Sequence, residues 1–303
     1  MINPTIICFG EMLWDILPTG KQAGGAPMNV AVQLKNLGLN PSVISRVGDD
    51  ELGEELIQFI IEKGLSTELI QHGKTHLTGV VKANVSDENE VTYKIVHPVA
   101  WDYIQVDDTL IEAVENSDVF IFGSLSARSE QTAQTLNTLL EKAKFKVFDV
   151  NLRTPFYTPE LVLSYLKIAN MVKMNEQELI QIATWCEEST TLETAMKSIA
   201  KRFDIQTLCV TLGANGAILL KDDIFYQNEG FPVTVKDTIG SGDAFLAGLL
   251  KNLLANNTPT ESLQFACAMG SLVATYQGAT PHITEEEVKT MIETRLNTFS
   301  NIY

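Results

Sequence analysis

The sequence predicts an α/β fold: a doubly wound, mainly parallel sheet with flanking helices and a small β lid. Three observations lead there. Short, continuous apolar runs rich in Val, Ile and Phe alternate with longer segments of 3.6-residue periodicity. Those runs lack the in–out alternation of a half-wet sheet, as parallel strands buried on both faces do. Residues 77–95 break the rule: two alternating halves flank the polar turn Ser86-Asp87-Glu88-Asn89, which makes a hairpin with one wet face.

Taken in order, strands are expected at 5–9 (T-I-I-C-F), 42–47, 119–123, 146–150, 171–174 and 207–212. Each is an apolar run of strand length. Helices are expected at 29–37, 52–63, 130–144, 159–169, 176–183 and 192–203, where apolar residues recur at helical spacing. The first of them is closed by Gly38. Residues 216–221 and 231–235 then read as strands, and helices dominate to the end. The segment 12–22 is too long for a tight turn between strand and helix. The expectation is a single domain over 1–303, with a lid formed by about 12–23 and 77–98. A lid with one apolar face can pair with a second copy of itself, so a homodimer through the hairpin is expected.

Composition excludes several classes. The 22 Lys and Arg against 38 Asp and Glu give a net charge of −16, so a nucleic-acid partner is not expected. No apolar stretch approaches the roughly 18 residues of a membrane span, and the first residues carry no basic leader. The four cysteines form no C-x-x-C pair and the four histidines show no zinc-ligand spacing, which suggests a reducing, cytoplasmic setting.

The run D-T-I-G-S-G-D-A-F-L-A-G at 237–248 carries the chemistry. A strongly helical segment follows Gly242, so Gly240, Ser241 and Gly242 form the turn into a helix N-terminus. Free N–H groups and the positive dipole end make an anion site there. Asp243 falls in the first turn beside that anion, where a carboxylate is electrostatically awkward unless it works as a proton acceptor. No G-x-x-x-x-G-K-[ST], H-R-D or D-F-G run is present, so P-loop and protein-kinase folds are excluded. A second cluster, G-G-A-P-M-N at 24–29, opens the first helix. Gly24 and Gly25 permit close backbone approach to a ligand, and Asn29 is expected to face outward from the first turn, as a ligand group or a cap. Asp15 lies among apolar residues, where a carboxylate needs hydrogen-bond partners, and a polyol supplies them.

These runs resemble the ribokinase-like (PfkB) carbohydrate kinases over nearly the whole chain. The resemblance is carried by G-G-A-P-M-N-V-A, V-G-D-D-E-L-G at 47–53, D-V-N-L-R at 149–153, N-E-Q-E at 175–178, V-T-L-G-A-N-G at 210–216 and D-T-I-G-S-G-D-A-F, in that order. It implies an ATP-dependent sugar kinase. Asp243 would be the general base and Gly240, Ser241 and Gly242 the anion hole. Asp15, Gly24, Gly25, Asn29, Asn151 and Arg153 would hold the sugar. Asn175, Thr211, Gly213 and Gly216 would lie beside the nucleotide, with Glu178 ordering Mg2+ through water. Asp237 would belong to a loop that takes a monovalent cation such as K+. G-G-A-P-x-N-V-A with D-x-N-L-R is most similar to the fructokinase-like branch, which implies D-fructose phosphorylated at the 6-hydroxyl. Ribose, another ketose, a 2-keto-3-deoxy acid (2-keto-3-deoxygluconate), and a sugar-binding regulatory protein of the same fold are the alternatives.

Overall fold

The computed structural model describes residues 4–17, 20–85 and 91–300. The chain opens with β1 (Thr5–Phe9), then β2 (Leu13–Leu17) and β3 (Gly20–Gly24), before α1 (Ala26–Asn36), β4 (Asn40–Gly48), α2 (Glu51–Glu62) and β5 (Ile70–Gly73). The hairpin β6 (Gly79–Val85) and β7 (Val91–Ile95) follows; the expected turn at 86–89 lies outside the described residues. Helix–strand units continue with α3 (Asp108–Asn116) and β8 (Val119–Gly123), α4 (Glu130–Lys142) and β9 (Lys146–Asp149), then α5 (Pro159–Leu166) and β10 (Met171–Asn175). Next come α6 (Glu176–Trp185), α7 (Leu192–Phe203) and β11 (Thr207–Thr211), the strands β12 (Ala217–Lys221) and β13 (Ile224–Asn228), and α8 (Ser241–Leu254), α9 (Pro259–Val273) and α10 (Glu285–Ser300).

Nine strands form the main sheet in the order β13-β12-β11-β10-β9-β8-β1-β4-β5, parallel except for the antiparallel edge β12–β13. Successive side chains of a strand point to opposite faces, and both faces of this sheet are covered. Ile6 and Cys8 of β1 join a core with α1, α2, α8 and α9, while Ile7 and Phe9 join one with α3 to α7. That double burial is why the strands read as unbroken apolar runs. The lid is a second sheet, β3-β2-β6-β7, built from both expected segments. In it Asp15 pairs with Gln22 across β2–β3 and with Val81 across β2–β6, so these share a face. Trp14 lies on the other face and ties the lid root to α2 by donating to Leu52 O at 2.9 Å.

Three expectations are corrected. Residues 231–235 form no strand; Pro232 has no N–H to give a ladder. Strands β5 and β13 were not foreseen, because I-Q-H-G and I-F-Y-Q-N are short edge segments without a clean apolar period; helix α3 was also missed. Asn29 does not face outward. Helix α1 starts earlier, at Ala26, with Pro27 in its first turn, and that phase turns Asn29 inward to 4% exposure. All four cysteines are free and buried. No described helix is long and apolar enough to cross a membrane.

Candidate active site

The C-terminal ends of parallel strands, where loops and helix N-termini converge, are where α/β sheets bind ligands. Helix α8 begins there with Gly240 as its N-cap, and no side chain caps it. Gly240 has φ 76°, and a Cβ on it would lie 2.5 Å from Ala279 O. Glycine is therefore required twice over, by the backbone and by the space. The first N–H groups of the helix stay available for an anion.

Asp243, half-buried in this first turn, accepts a hydrogen bond from Asn29 Nδ2 at 2.8 Å. Burial pushes its carboxyl up to about 6, and Asp149 adds to the rise against the pull of Lys173, Asn29 and Arg153. It is thus ionised at neutral pH yet basic enough to take a proton. Asn29 Oδ1 and Ser241 Oγ are buried without a hydrogen-bond partner among the described residues, and buried polar atoms ordinarily have one.

Beneath the helix start lies a cation that sequence reasoning missed. Lys173 is buried, and its Nζ donates to Asp149 Oδ1 at 3.0 Å and Oδ2 at 3.1 Å. The pair follows from strand register, since Lys173 and Asp149 are partners across β10–β9. A Cβ placed on Gly242 would lie 3.1 Å from Lys173 Nζ, so the ammonium abuts the turn of the anion site. Burial opposes its charge, but Asp149, Asp243 and Glu178 outweigh burial and hold its pKa above the ordinary lysine value. The sequence signal was a lone lysine inside the apolar strand M-V-K-M-N, where an unpaired charge is too costly to bury.

The front of the cleft holds two further carboxyls. Burial lifts Asp15 to about 6; Arg153 works against the rise and Asp237 adds to it. Glu11, also missed, is 3% exposed and accepts from Ser126 Oγ at 3.2 Å. Burial lifts it to about 7 despite hydrogen bonds from its own backbone and Ser126, with Asp243 contributing. The Arg153 charge acts on Asp15, Glu11 and Asp243 alike, and Arg153 is itself exposed. Gly24 and Gly25 frame this end: Asp15 Oδ2 occupies the space where a Gly24 Cβ would be, and Gly25, at φ 116°, has Glu11 O in its Cβ position. Asn151 sits at φ 39° in the turn after β9, a conformation Asn tolerates better than most residues.

The remaining expected residues sit on neighbouring elements. Asn175 caps α6, and Glu178 completes a capping box, accepting from Asn175 N at 2.8 Å and Leu152 N at 2.8 Å. Burial raises the Glu178 carboxyl. Thr211 ends β11 opposite Asn175, and Gly213 and Gly216 bound the turn that follows. No hydrogen bond among the described residues joins Thr211, Gly213 or Gly216 to the Asp243 cluster. Asp237 accepts from Ile239 N at 3.0 Å and Gly278 N at 3.1 Å, which clasps two loops together behind Gly240.

The pfkB family carbohydrate kinase model matches residues 13–286. The chain belongs to the pfkB family of carbohydrate kinases. A fructokinase of Salmonella typhimurium is 28% identical to this kinase over 92% of the chain and 95% of its own length. Among solved structures, the fructokinase of Xylella fastidiosa with bound ATP superposes with a TM-score of 0.86 at 24% identity, covering 97% of this chain and all of that one. The fructokinase of Vibrio cholerae in its fructose-, ADP- and calcium-bound form gives 0.83 at 22% identity over 96% of this chain and 99% of that one. At such identities the structures speak to the fold, and the family assignment rests on the match of 13–286.

Proposed function

We propose that this kinase transfers the γ-phosphate of ATP to the 6-hydroxyl of D-fructose. One observation carries the reading: Asp243, held by Asn29 and lifted to about 6, stands in the first turn of an uncapped helix whose start abuts Lys173. Asp243 takes the proton of the attacking hydroxyl. The N–H groups of the 240–242 turn and the Lys173 charge stabilise the negative charge on the phosphoryl group in transfer. Asp15, Asn29, Asn151 and Arg153, with Gly24 and Gly25, hold the sugar; Asn175, Thr211, Gly213 and Gly216 hold the nucleotide. Fructose as the sugar is favoured by the fructokinase named above and by the D-V-N-L-R run ending in Arg153.

No cluster of three metal-ligating side chains occurs among the described residues. Magnesium bound mainly by water and phosphates does not need one. Each Glu178 oxygen accepts one backbone N–H, which leaves lone pairs for a metal-bound water. Bound there, Mg2+ would neutralise part of the phosphate charge. The Asp237 clasp and the loop carbonyls beside it suit a monovalent cation such as K+. We place the enzyme in the cytoplasm, as one domain over 1–303 that pairs through its β lid.

The test is purified protein with Mg-ATP against fructose, ribose, 2-keto-3-deoxygluconate and other ketoses, reading ADP release. Phosphorus NMR of the product locates the phosphate. Fructose 6-phosphate is the expected product. Sugar binding without ADP from any sugar would overturn the reading in favour of a regulatory protein.

A further inference from the structure

Helix α1 touches the phosphoryl-transfer end of the molecule at two places one turn apart. Asn29 donates to Asp243. Gln33, four residues on and so on the same helix face, is fully buried. Its Nε2 donates to two carbonyls of the segment after α9, Ala279 O at 3.3 Å and Pro281 O at 3.4 Å. Asn36, a further turn along, donates to Gln33 Oε1 at 3.1 Å and to Pro281 O at 3.2 Å. The first of these bonds sets which way the Gln33 amide faces. Between the two carbonyls, Thr280 O accepts from Lys63 Nζ at 3.0 Å. Three consecutive carbonyls of a C-terminal segment are therefore held by side chains from the N-terminal third of the chain.

The residue at the centre of this strap is also the wall behind the anion site. Gly240 turns directly against Ala279, with room for no Cβ between them: 2.5 Å to its O and 2.6 Å to its Cα. From the other side, Asp237 ties Gly278 N to Ile239 N. Ala279 is a wedge, held by Gln33 on one flank and bearing on Gly240 on the other.

We infer that Gln33 is a positioning residue for phosphoryl transfer. Through Ala279 it sets the place of Gly240, and hence the aim of the helix N–H groups, relative to the base that Asn29 holds from the same face of α1. Base and anion site are thereby referenced to one rigid helix, although Asp243 and Asn29 are far apart in sequence. This rests on the kinase reading above. An amide donor lost from Ala279 O leaves that buried carbonyl short of a partner, while Pro281 O keeps the Asn36 amide, and the wedge then shifts to find one. A displacement of about 1 Å between reacting groups can cost on the order of a hundredfold in rate.

The test is Gln33→Leu, close in volume and lacking the donors, measured with whichever sugar the wild type phosphorylates fastest. The expected result is a kcat lower by roughly tenfold to a hundredfold, with sugar KM unchanged because Asp15, Asn29 and Arg153 are untouched. Affinity for ADP with aluminium fluoride, which mimics the phosphoryl group in transfer, should fall by the same factor while affinity for ADP alone holds. Gln33→His keeps an N–H donor and should recover most of the loss. A Gln33→Leu kcat within about twofold of wild type, or equal losses for ADP and its aluminium fluoride complex, would overturn the inference. A wild type inactive on every sugar would count instead against the proposed function, and the ratio of the two ADP affinities would still decide the role of Gln33.

Discussion

Replacing Asp243 by Asn should make the protein more stable and nearly inactive at once. Burial lifts this carboxyl from 3.8 to about 6 in the folded state, so keeping it ionised there costs about 3 kcal/mol relative to the unfolded chain. Asparagine accepts the Asn29 hydrogen bond through its carbonyl oxygen and carries no charge to bury. Above about pH 6 the folded wild type bears the full cost, and the variant should gain up to about 3 kcal/mol. Between 6 and 3.8 the folded carboxyl takes up its proton before the unfolded one does, so the gain shrinks. Below about 3.8 it vanishes, because the group is neutral in both states. Urea denaturation at pH 8 and at pH 3.5 measures the two limits, if the wild type stays folded at the lower one. Turnover should drop by roughly a hundredfold to ten-thousandfold, the contribution of one general base, while calorimetry finds sugar affinity preserved. A variant that turns over within about tenfold of wild type would refute Asp243 as the base. One less stable than wild type at pH 8 would refute the claim that its charge is held against its surroundings.

Three further outcomes follow from the same cluster. The kcat/KM profile should fall as pH drops through about 6, where Asp243 and Asp15 both take protons; a flat profile from pH 7 to 5 would contradict the base assignment. Lys173→Met strands Asp149 and should cost roughly 3–5 kcal/mol in denaturant titrations. Adding Asp149→Leu should recover much of that stability without restoring turnover, whereas recovered activity would make the pair structural only. Glu178→Gln should weaken the magnesium dependence of the rate by roughly tenfold or more and leave sugar KM unchanged; an unaltered magnesium titration would remove Glu178 from that role.

The parts of the site written as local pattern were legible in the sequence. Gly240 to Asp243 could be placed because two glycines before a helical period define a helix start within a few residues. The lid could be placed because its hairpin alternates where its neighbours do not. What escaped was what depends on register between distant segments. Lys173 meets Asp149 because β10 pairs with β9 in one register, and a shift of one residue would send the ammonium to the opposite face. Glu11 escaped because nothing local shows that Ser126 and the glycine turn close over it. Asn29 was turned the wrong way because the start of α1 was placed three residues late. A start placed there made Asn29 a first-turn end residue, whereas it lies within the helix body on the face packed against α8.

The buried cysteines offer a use of their own. Cys8 lies in β1, Cys209 in β11 and Cys267 in α9, and burial raises all three thiols, Cys267 to about 12. Only the thiolate reacts with alkylating reagents, so each residue should stay unlabelled until its surroundings open. Their modification rates, read peptide by peptide by mass spectrometry, form a three-channel clock of local opening. A bound sugar or nucleotide that tightens α8 against α9 should slow the Cys267 channel before the Cys8 one. All three belong to the core that α1, α2, α8 and α9 cover, so the chain carries its own reporters of how that layer opens, with no label added.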